Sequence, residues 1–360
     1  MSRILIYFAD SHRNIDYRNY PENPYRKFLE SLKTKFRVSV LDNYYSEYCS
    51  TYRWFLSFIN GRTELDNAGF DIRKARGNEF IPCNSFILPM IAKGLGYNFR
   101  VSEIARPGYE SKEWDYFNVL PKDSTFHRLG NFASRYMIKN DFKDNQIDFI
   151  YDIGYHWRIY DSKNTIEDMP KLMQESFDYS SEILNKDTIS RYDYVLFVAD
   201  HGHSDVINGS LVQHDVNGHL GYGSPYHHTN PVCYILQPGK GIEYSDSLIN
   251  QVDLFNIVRI WLNEGKVDIN LFNRPFIVTH GYNIFDKGYP RYYHIVYSDK
   301  YISIDSKAIF ANNNMNVYAS ALHDQVLVPY ALTKEDWNIL YQTSPYFSKL
   351  FDYEEFEYED

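Results

Sequence analysis

The sequence predicts an α/β fold: a mainly parallel central sheet flanked by helices, followed by a small C-terminal antiparallel α+β subdomain. Three observations predict it. Short apolar runs of strand length alternate with amphipathic segments of helical period, the pattern of repeated strand–helix units. The runs are apolar at consecutive positions rather than at alternate ones, as in strands covered on both faces. From about residue 275 the texture changes to β-rich segments that face one another across a short turn.

The elements follow in order. "RILIYFAD" is a buried strand that stops at Asp10. "NPYRKFLESLKTKF" places Phe28, Leu29, Leu32 and Phe36 at helical spacing. "RVSVLDNYY" is a second strand. "TYRWFLSFINGR" is a helix closed by Gly61, a residue suited to the left-handed C-terminal position. "NSFILPMIAKGLGYNFRVSEI" gives a helix, a glycine-rich turn and a strand. Residues 105–145 carry little pattern and are expected to form loops and a lid-like insert. "IDFIYDIGYH" is a strand with a polar end, "MPKLMQESFDYSSEILNK" an amphipathic helix, and residues 192–199 a further strand. "NPVCYILQPG" is a strand and "SLINQVDLFNIVRIWL" a helix. "YYHIVYSDKYISID" reads as an antiparallel hairpin, and "DYEEFEYED" as an acidic, frayed tail. The expected organisation is a catalytic domain over 1–270, a subdomain over 271–350 and the tail over 351–360.

Composition narrows the function classes. The chain has 360 residues, 44% apolar and 23% charged, which is a globular composition. Its formal net charge of −10 argues against a nucleic-acid partner. The aromatic share of 18% supplies core and ligand-stacking walls. No run approaches the roughly 18 apolar residues a membrane span needs, and "ILIYFA" lacks the features of a signal peptide. Three cysteines, Cys49, Cys83 and Cys233, without paired spacing fit reduced thiols and a cytoplasmic setting. Oligomeric state is not legible.

Metal-ligating residue types end several of the strands. The first delivers Asp10. The strand at 147–151 delivers Asp152, with His156 four residues on. The strand at 194–199 delivers Asp200 and His201. A fourth segment, "SPYHHTNPVCYIL", sets His227 and His228 just before a strand. Taken singly, each is as compatible with a turn or a cap. Together they fall at one edge of one sheet, the carboxyl ends of parallel strands, where sites in α/β folds gather. Carboxylates with imidazoles and no clustered cysteines suit a divalent ion.

On these motifs the sequence resembles the alkaline phosphatase superfamily, in particular its sulfatase-like hydrolases and phosphotransferases. The resemblance runs from Arg3 to about Ile304. "ILIYFADSHRN" resembles the opening strand with its D-S-x-R turn, mapping onto Asp10, Ser11 and Arg13. "NPYRKFLESL" resembles the helix that follows. "TYRWFLSFINGR" resembles the nucleophile helix and puts Thr51 in the nucleophile position. "DIGYH" is similar to a D-x-x-x-H pair, "ADHGHS" to the DHG motif and "HHTNPVCYIL" to an H-T-x-N-P-V-P strand entry. "YYHIVYSDKYISI" resembles the sulfatases' C-terminal hairpin.

What the resemblance implies is a metal-dependent hydrolase or transferase of phosphate esters, mono- or diesters, working through a phosphothreonine at Thr51. In its two-metal branches Asp10, Thr51, Asp200 and His201 hold one ion, and Asp152, His156 and a later histidine hold the other. Spacing to the Pro-Val pair favours His227 as that ligand; the literal H-T-N-P string favours His228. In a single-metal branch His156 contacts substrate instead. Zinc or manganese heads the expected metals, with calcium or magnesium as alternatives. Arg53, His203 and Arg158 are candidates for substrate or leaving-group contact. The expected substrate is a small-molecule, glycan-linked or lipid-linked phosphate ester. A sulfatase using a modified Cys49 is an alternative, although "CSTYR" departs from C-x-P-S-R and Ser11 stands where sulfatases carry a second aspartate. A catalytically degenerate ligand-binding protein is another; it would lack a first ligand, and none is missing.

Overall fold

The structure is a computed structural model that describes residues 2–47, 51–62, 87–104, 126–129, 143–159, 168–203, 206–207, 210–211, 229–280, 292–305, 316–322 and 328–343. Its strands are β1 (Arg3–Ala9), β2 (Phe36–Leu41), β3 (Asn98–Ile104), β4 (Phe126–Leu129), β5 (Gln146–Asp152) and β6 (Tyr194–Val198). A two-stranded ribbon follows, β7 (Val206–Ile207) and β8 (Ser210–Leu211). Then come β9 (Cys233–Pro238), β10 (Gly241–Ser245), β11 (Ile277–His280), β12 (Tyr292–Val296), β13 (Lys300–Asp305), β14 (Asn316–Ala321) and β15 (Val328–Pro329).

The described strands form an eight-stranded sheet in the order β10-β2-β9-β6-β1-β5-β3-β4. Neighbours are parallel throughout except at β9, which runs against β2 and β6. A five-stranded antiparallel sheet, β11-β12-β13-β14-β15, follows. This is the fold class expected from the sequence. Two strands were not legible. β10 is an edge strand with no apolar run, and its Tyr244 is exposed. β4 lies inside the segment expected to be loop and pairs with β3 at the other edge.

β1 lies inside the sheet, between β6 and β5. Its residues alternate between two cores. Ile4, Ile6 and Phe8 face one with the helices Thr51–Asn60, Ile87–Gly94 and Gln251–Asn263. Leu5, Tyr7 and Ala9 face the other with the helix Pro24–Ser31 and the segment 183–192. Such two-sided burial is why the run reads as continuously apolar.

The helix Thr51–Asn60 is pinned over β1. Phe8 stacks on Trp54 at 4.6 Å, Trp54 on Phe58 at 5.0 Å, and Trp54 donates its indole N–H to the Tyr44 hydroxyl at 2.6 Å. Trp54 is three residues after Thr51, about one turn, so the stack fixes the start of that helix. Gly61 closes it with φ +60°, and a Cβ there would meet the Phe255 ring at 2.2 Å. Only glycine satisfies both demands.

The second sheet packs one face on its own helix, Lys334–Thr343, through Ile295, Ile302, Ile304, Trp337 and Leu340. Its other face meets the main body through Ile277, Val296 and Tyr301 against Tyr45 and Leu248. The His280 amide donates to the Glu47 carbonyl at 2.8 Å. The body of the hairpin expected over 292–305 is the β12–β13 pair. Among the described residues no helix is long and apolar enough to cross a membrane.

Candidate active site

Register brings the predicted ligands to one edge. Ala9 pairs with Asp152 and Phe8 with Val198, so β1, β5 and β6 end side by side. β9 runs the other way and begins there, with Cys233 opposite Val198. Its lead-in is stitched to the same edge: the Asn14 amide donates to the Asn230 carbonyl at 3.1 Å and the Ala199 amide to the Val232 carbonyl at 3.0 Å.

One ligand atom from each of Asp10, Asp200 and His201 lies within 4.8 Å of the others, and all three residues are buried. Asp10 comes directly off β1. Its Oδ2 accepts from the Tyr151 hydroxyl at 2.6 Å, while its Oδ1 accepts from Ser11 Oγ at 2.7 Å and faces His156 Nδ1 at 2.9 Å. The Ser11 amide donates to Asp200 Oδ1 at 3.2 Å. Thr51 Oγ1, at the head of its helix, stands 3.5 Å from His201 Nε2.

The protonation of His201 follows from its surroundings. Its Nδ1 is 2.6 Å from the Gly202 carbonyl oxygen, which can only accept, so Nδ1 carries the proton. In the neutral ring Nε2 then presents a lone pair. That nitrogen lies 3.2 Å from Asp200 Oδ2, a buried oxygen that accepts no hydrogen bond. Asp200 Oδ2, out of reach of water, thus faces a lone pair rather than a donor, which is unfavourable until a cation lies between them. A histidine whose other N–H is fixed by a backbone carbonyl is also how ligating imidazoles are held. The residues therefore fit a divalent ion, and oxygen donors with one imidazole suit manganese or zinc better than an all-oxygen site would.

The two carboxylates differ in charge state when no ion is bound. Burial opposes the charge on Asp10, but His156 and His201 beside it and the Tyr151 hydroxyl outweigh that and hold it below the usual carboxylate range. Asp200 goes the other way: burial and the neighbouring Asp10 charge push it up to about 6.

The other predicted residues are placed as follows. The Asp152 carboxylate turns away from the cluster and accepts from Tyr7, from Ser180 Oγ at 2.5 Å and from the Gly154 amide at 2.8 Å. His156 is brought to Asp10, not to Asp152. His203 is buried, 3.5 Å from Asp16 Oδ2 and 3.4 Å from the Tyr155 hydroxyl. Arg158 donates to the Gly154 carbonyl at 2.5 Å. Arg53 lies in the helix Thr51–Asn60, but its side chain, like His227, His228 and Cys49, falls outside the described residues.

Sequence reasoning missed the residues that hold these groups. Tyr151 is one, hidden inside an apolar run. Asp16 is another: it receives both Arg13 Nε at 2.9 Å and Arg13 Nη2 at 2.6 Å, and so anchors His203. Arg13 had been noticed as part of a motif, but its partner three residues on gave no signal of its own. His12 is a third; it is fully buried, close to the Tyr155 ring at 4.5 Å, and burial pushes it down to about 3.

Comparison with known proteins agrees at the level of fold. No protein-family model and no curated protein matches the sequence. Solved structures do. A protein in the alkaline phosphatase superfamily from Vibrio parahaemolyticus superposes with TM-score 0.59 at 12% identity, covering 98% of this chain and 88% of that one. The fold is that of the alkaline phosphatase superfamily. A 2-O GAG sulfatase matches with TM-score 0.62 at 10% identity over 99% of this chain and 94% of that one. The lipoteichoic acid synthase LtaP from Listeria monocytogenes matches with TM-score 0.57 at 10% identity over 100% and 93%.

Proposed function

We propose that this chain is a metal-dependent phosphoesterase or phosphotransferase in which Thr51 is the nucleophile and Asp10, Asp200, His201 and Thr51 hold one divalent cation, manganese or zinc. The observation that carries the reading is the facing pair of acceptors, Asp200 Oδ2 and His201 Nε2, 3.2 Å apart with the Thr51 hydroxyl beside them. A bound dication would lower the pKa of the Thr51 hydroxyl and neutralise charge on the transferring group.

The chain's own groups supply the rest. Thr51 Oγ1 forms a bond to phosphorus as the bond to the leaving alkoxide breaks, giving phosphothreonine. Water, or an acceptor hydroxyl, then attacks phosphorus and releases Thr51. The start of the Thr51–Asn60 helix turns backbone N–H groups toward the anionic oxygens. His156 keeps Nδ1 on Asp10 and Ser11, and in the manner of the single-ion branch it is a candidate to contact substrate. His227 or His228 is the candidate for a further contact, as are Arg53 and His203. The substrate is a phosphate mono- or diester of a small molecule, glycan or lipid.

The test is metal analysis together with turnover of nitrophenyl phosphate, a bis-nitrophenyl phosphodiester and nitrophenyl sulfate by wild type and Thr51→Ala. The reading expects metal-dependent cleavage of a phosphate ester that Thr51→Ala abolishes. Cleavage of the sulfate ester alone, surviving Thr51→Ala and lost in Cys49→Ser, would replace it with a sulfatase.

A further inference from the structure

Among the described residues only Ser11 and Asn145 adopt positive φ without being glycine, at 65° and 55°. Asparagine takes that conformation readily because its short amide bonds to its own backbone; serine does so much less often. Asn145 sits half-buried in a bend just before β5, whereas Ser11 is fully buried and adjoins Asp10. An unfavourable backbone persists where the surroundings over-determine it, and such residues cluster at functional sites.

The contacts of Ser11 say what that backbone does. Its amide points at Asp200 Oδ1, 3.2 Å away, on the loop after β6. Its hydroxyl stands 2.7 Å from Asp10 Oδ1 and 2.9 Å from His156 Nδ1. The carboxylate only accepts, so the hydroxyl proton goes to Asp10; His156 Nδ1, 2.9 Å from both Asp10 Oδ1 and the hydroxyl oxygen, carries its proton because the carboxylate beside it can only accept. One residue thus touches groups from three strand ends. Turning Ser11 to negative φ would swing its N–H and its Cβ to different sides, and the amide and hydroxyl could no longer reach these partners together.

We propose that Ser11 is a positioning residue that holds Asp10, Asp200 and His156 in one frame for cation binding. This rests on the metal-site reading above and deepens it: Ser11 is not a ligand, but it sets where two ligands sit and where the His156 ring lies beside them.

The experiment compares wild type, Ser11→Ala and Ser11→Gly in the full chain. It uses calorimetric titration with Mn²⁺ alone and ¹⁵N spectra of the histidine rings in metal-free protein. Ser11→Ala loses the hydroxyl and keeps the constrained backbone; Ser11→Gly loses the hydroxyl and is at ease at positive φ. Both are expected to weaken Mn²⁺ binding about tenfold or more and to shift the ¹⁵N resonance of His156 Nδ1, which loses its Ser11 partner while Asp10 keeps the proton there, and Ser11→Gly is expected to unfold at or above the midpoint of Ser11→Ala. Neither readout needs turnover. If both variants bind Mn²⁺ within twofold of wild type and leave the His156 spectrum unchanged, the proposal is overturned while phosphoryl transfer stands. If wild type cleaves no ester yet the variants show the Mn²⁺ and ¹⁵N changes, phosphoryl transfer falls and the role of Ser11 stands. If wild type binds no Mn²⁺ and the spectra do not differ, both fall.

Discussion

Two buried aspartates of this protein sit in the same sheet and do opposite things. Asp148, within β5, is covered by donors: Arg100 Nε at 2.6 Å and Nη2 at 2.9 Å, the Tyr192 hydroxyl at 2.6 Å and Gln146 Nε2 at 2.5 Å. Asp200, just past β6, has no cationic side chain like Arg100 on it: neutral donors, the Ser11 amide, the His201 amide and the Thr51 hydroxyl, serve it, its Oδ2 is left without a well-formed hydrogen bond, and another carboxylate lies nearby. A buried charge saturated by a guanidinium and hydrogen bonds is a closed structural unit. One left facing another acceptor fits the proposed site, whose missing partner would come from outside. Burial alone does not separate the two, since both are almost fully enclosed; the donor inventory does.

The sharpest way to break the comparison is at the hydroxyl next to the open site. Thr51→Ala is expected to lower turnover by about three orders of magnitude or more, the scale for loss of an activated nucleophile, while the fold persists and metal affinity falls by the loss of one oxygen donor. Circular dichroism and steady-state kinetics check this. Survival of activity would move the nucleophile elsewhere.

Next is the same substitution at both aspartates. Asp148→Asn removes the counter-charge of a buried guanidinium and is expected to cost about 3–5 kcal/mol. Asp200→Asn should act in the opposite sense in metal-free protein. A carboxyl raised to about 6 in the folded state binds a proton more tightly there than when unfolded. Its ionisation therefore costs folding energy, a cost that builds from the unfolded carboxylate range to pH 6 and is fully present at pH 7. Asparagine abolishes that cost, and metal-free Asp200→Asn is expected to be about 1–3 kcal/mol more stable at pH 7. Urea unfolding of both variants in chelator measures the pair.

A smaller effect is expected where the nucleophile helix ends. Gly61→Ala combines left-handed strain with a clash on Phe255 and should cost about 1–3 kcal/mol by thermal unfolding.

At any single step of pH the effect is smallest in the second sheet, as a slope. His294 faces Thr279 and Ser303 in register, and burial, with His280 nearby, pushes it down to about 3. It stays neutral when folded but protonates when unfolded. Its contribution is present above about pH 6.5 and is lost as pH falls toward 3, at about 1 kcal/mol per pH unit. His294→Gln is expected to flatten the acid limb of stability against pH.

What was legible follows from the same physics. The two-sided burial of β1, β5 and β6 wrote itself into the sequence as unbroken apolar runs, and the parallel order put their ends together. Asp10, Asp200 and His201 could be read because ligands at strand ends sit next to that signal. The direction of a carboxylate could not. Asp152 looked like Asp10, yet Tyr7 and Ser180, from a neighbouring strand and a distant helix, claim its oxygens. Nor could the left-handed turn at Ser11 be read, because its partners after β6 and after β5 are 189 and 145 residues away. The edge strands β4 and β10 lacked two covered faces and so lacked the run that betrays a strand.

The central claim is that the cluster of Asp10, Asp200 and His201 takes up a dication, and the most direct measurement is chemical unfolding of wild type and Asp200→Asn with chelator and with excess Mn²⁺ or Zn²⁺. Wild type should gain about 2–4 kcal/mol with metal at a hundred to a thousand times its dissociation constant, and Asp200→Asn should gain little. Equal unfolding curves with and without metal for wild type, or an equal gain in both proteins, would contradict it.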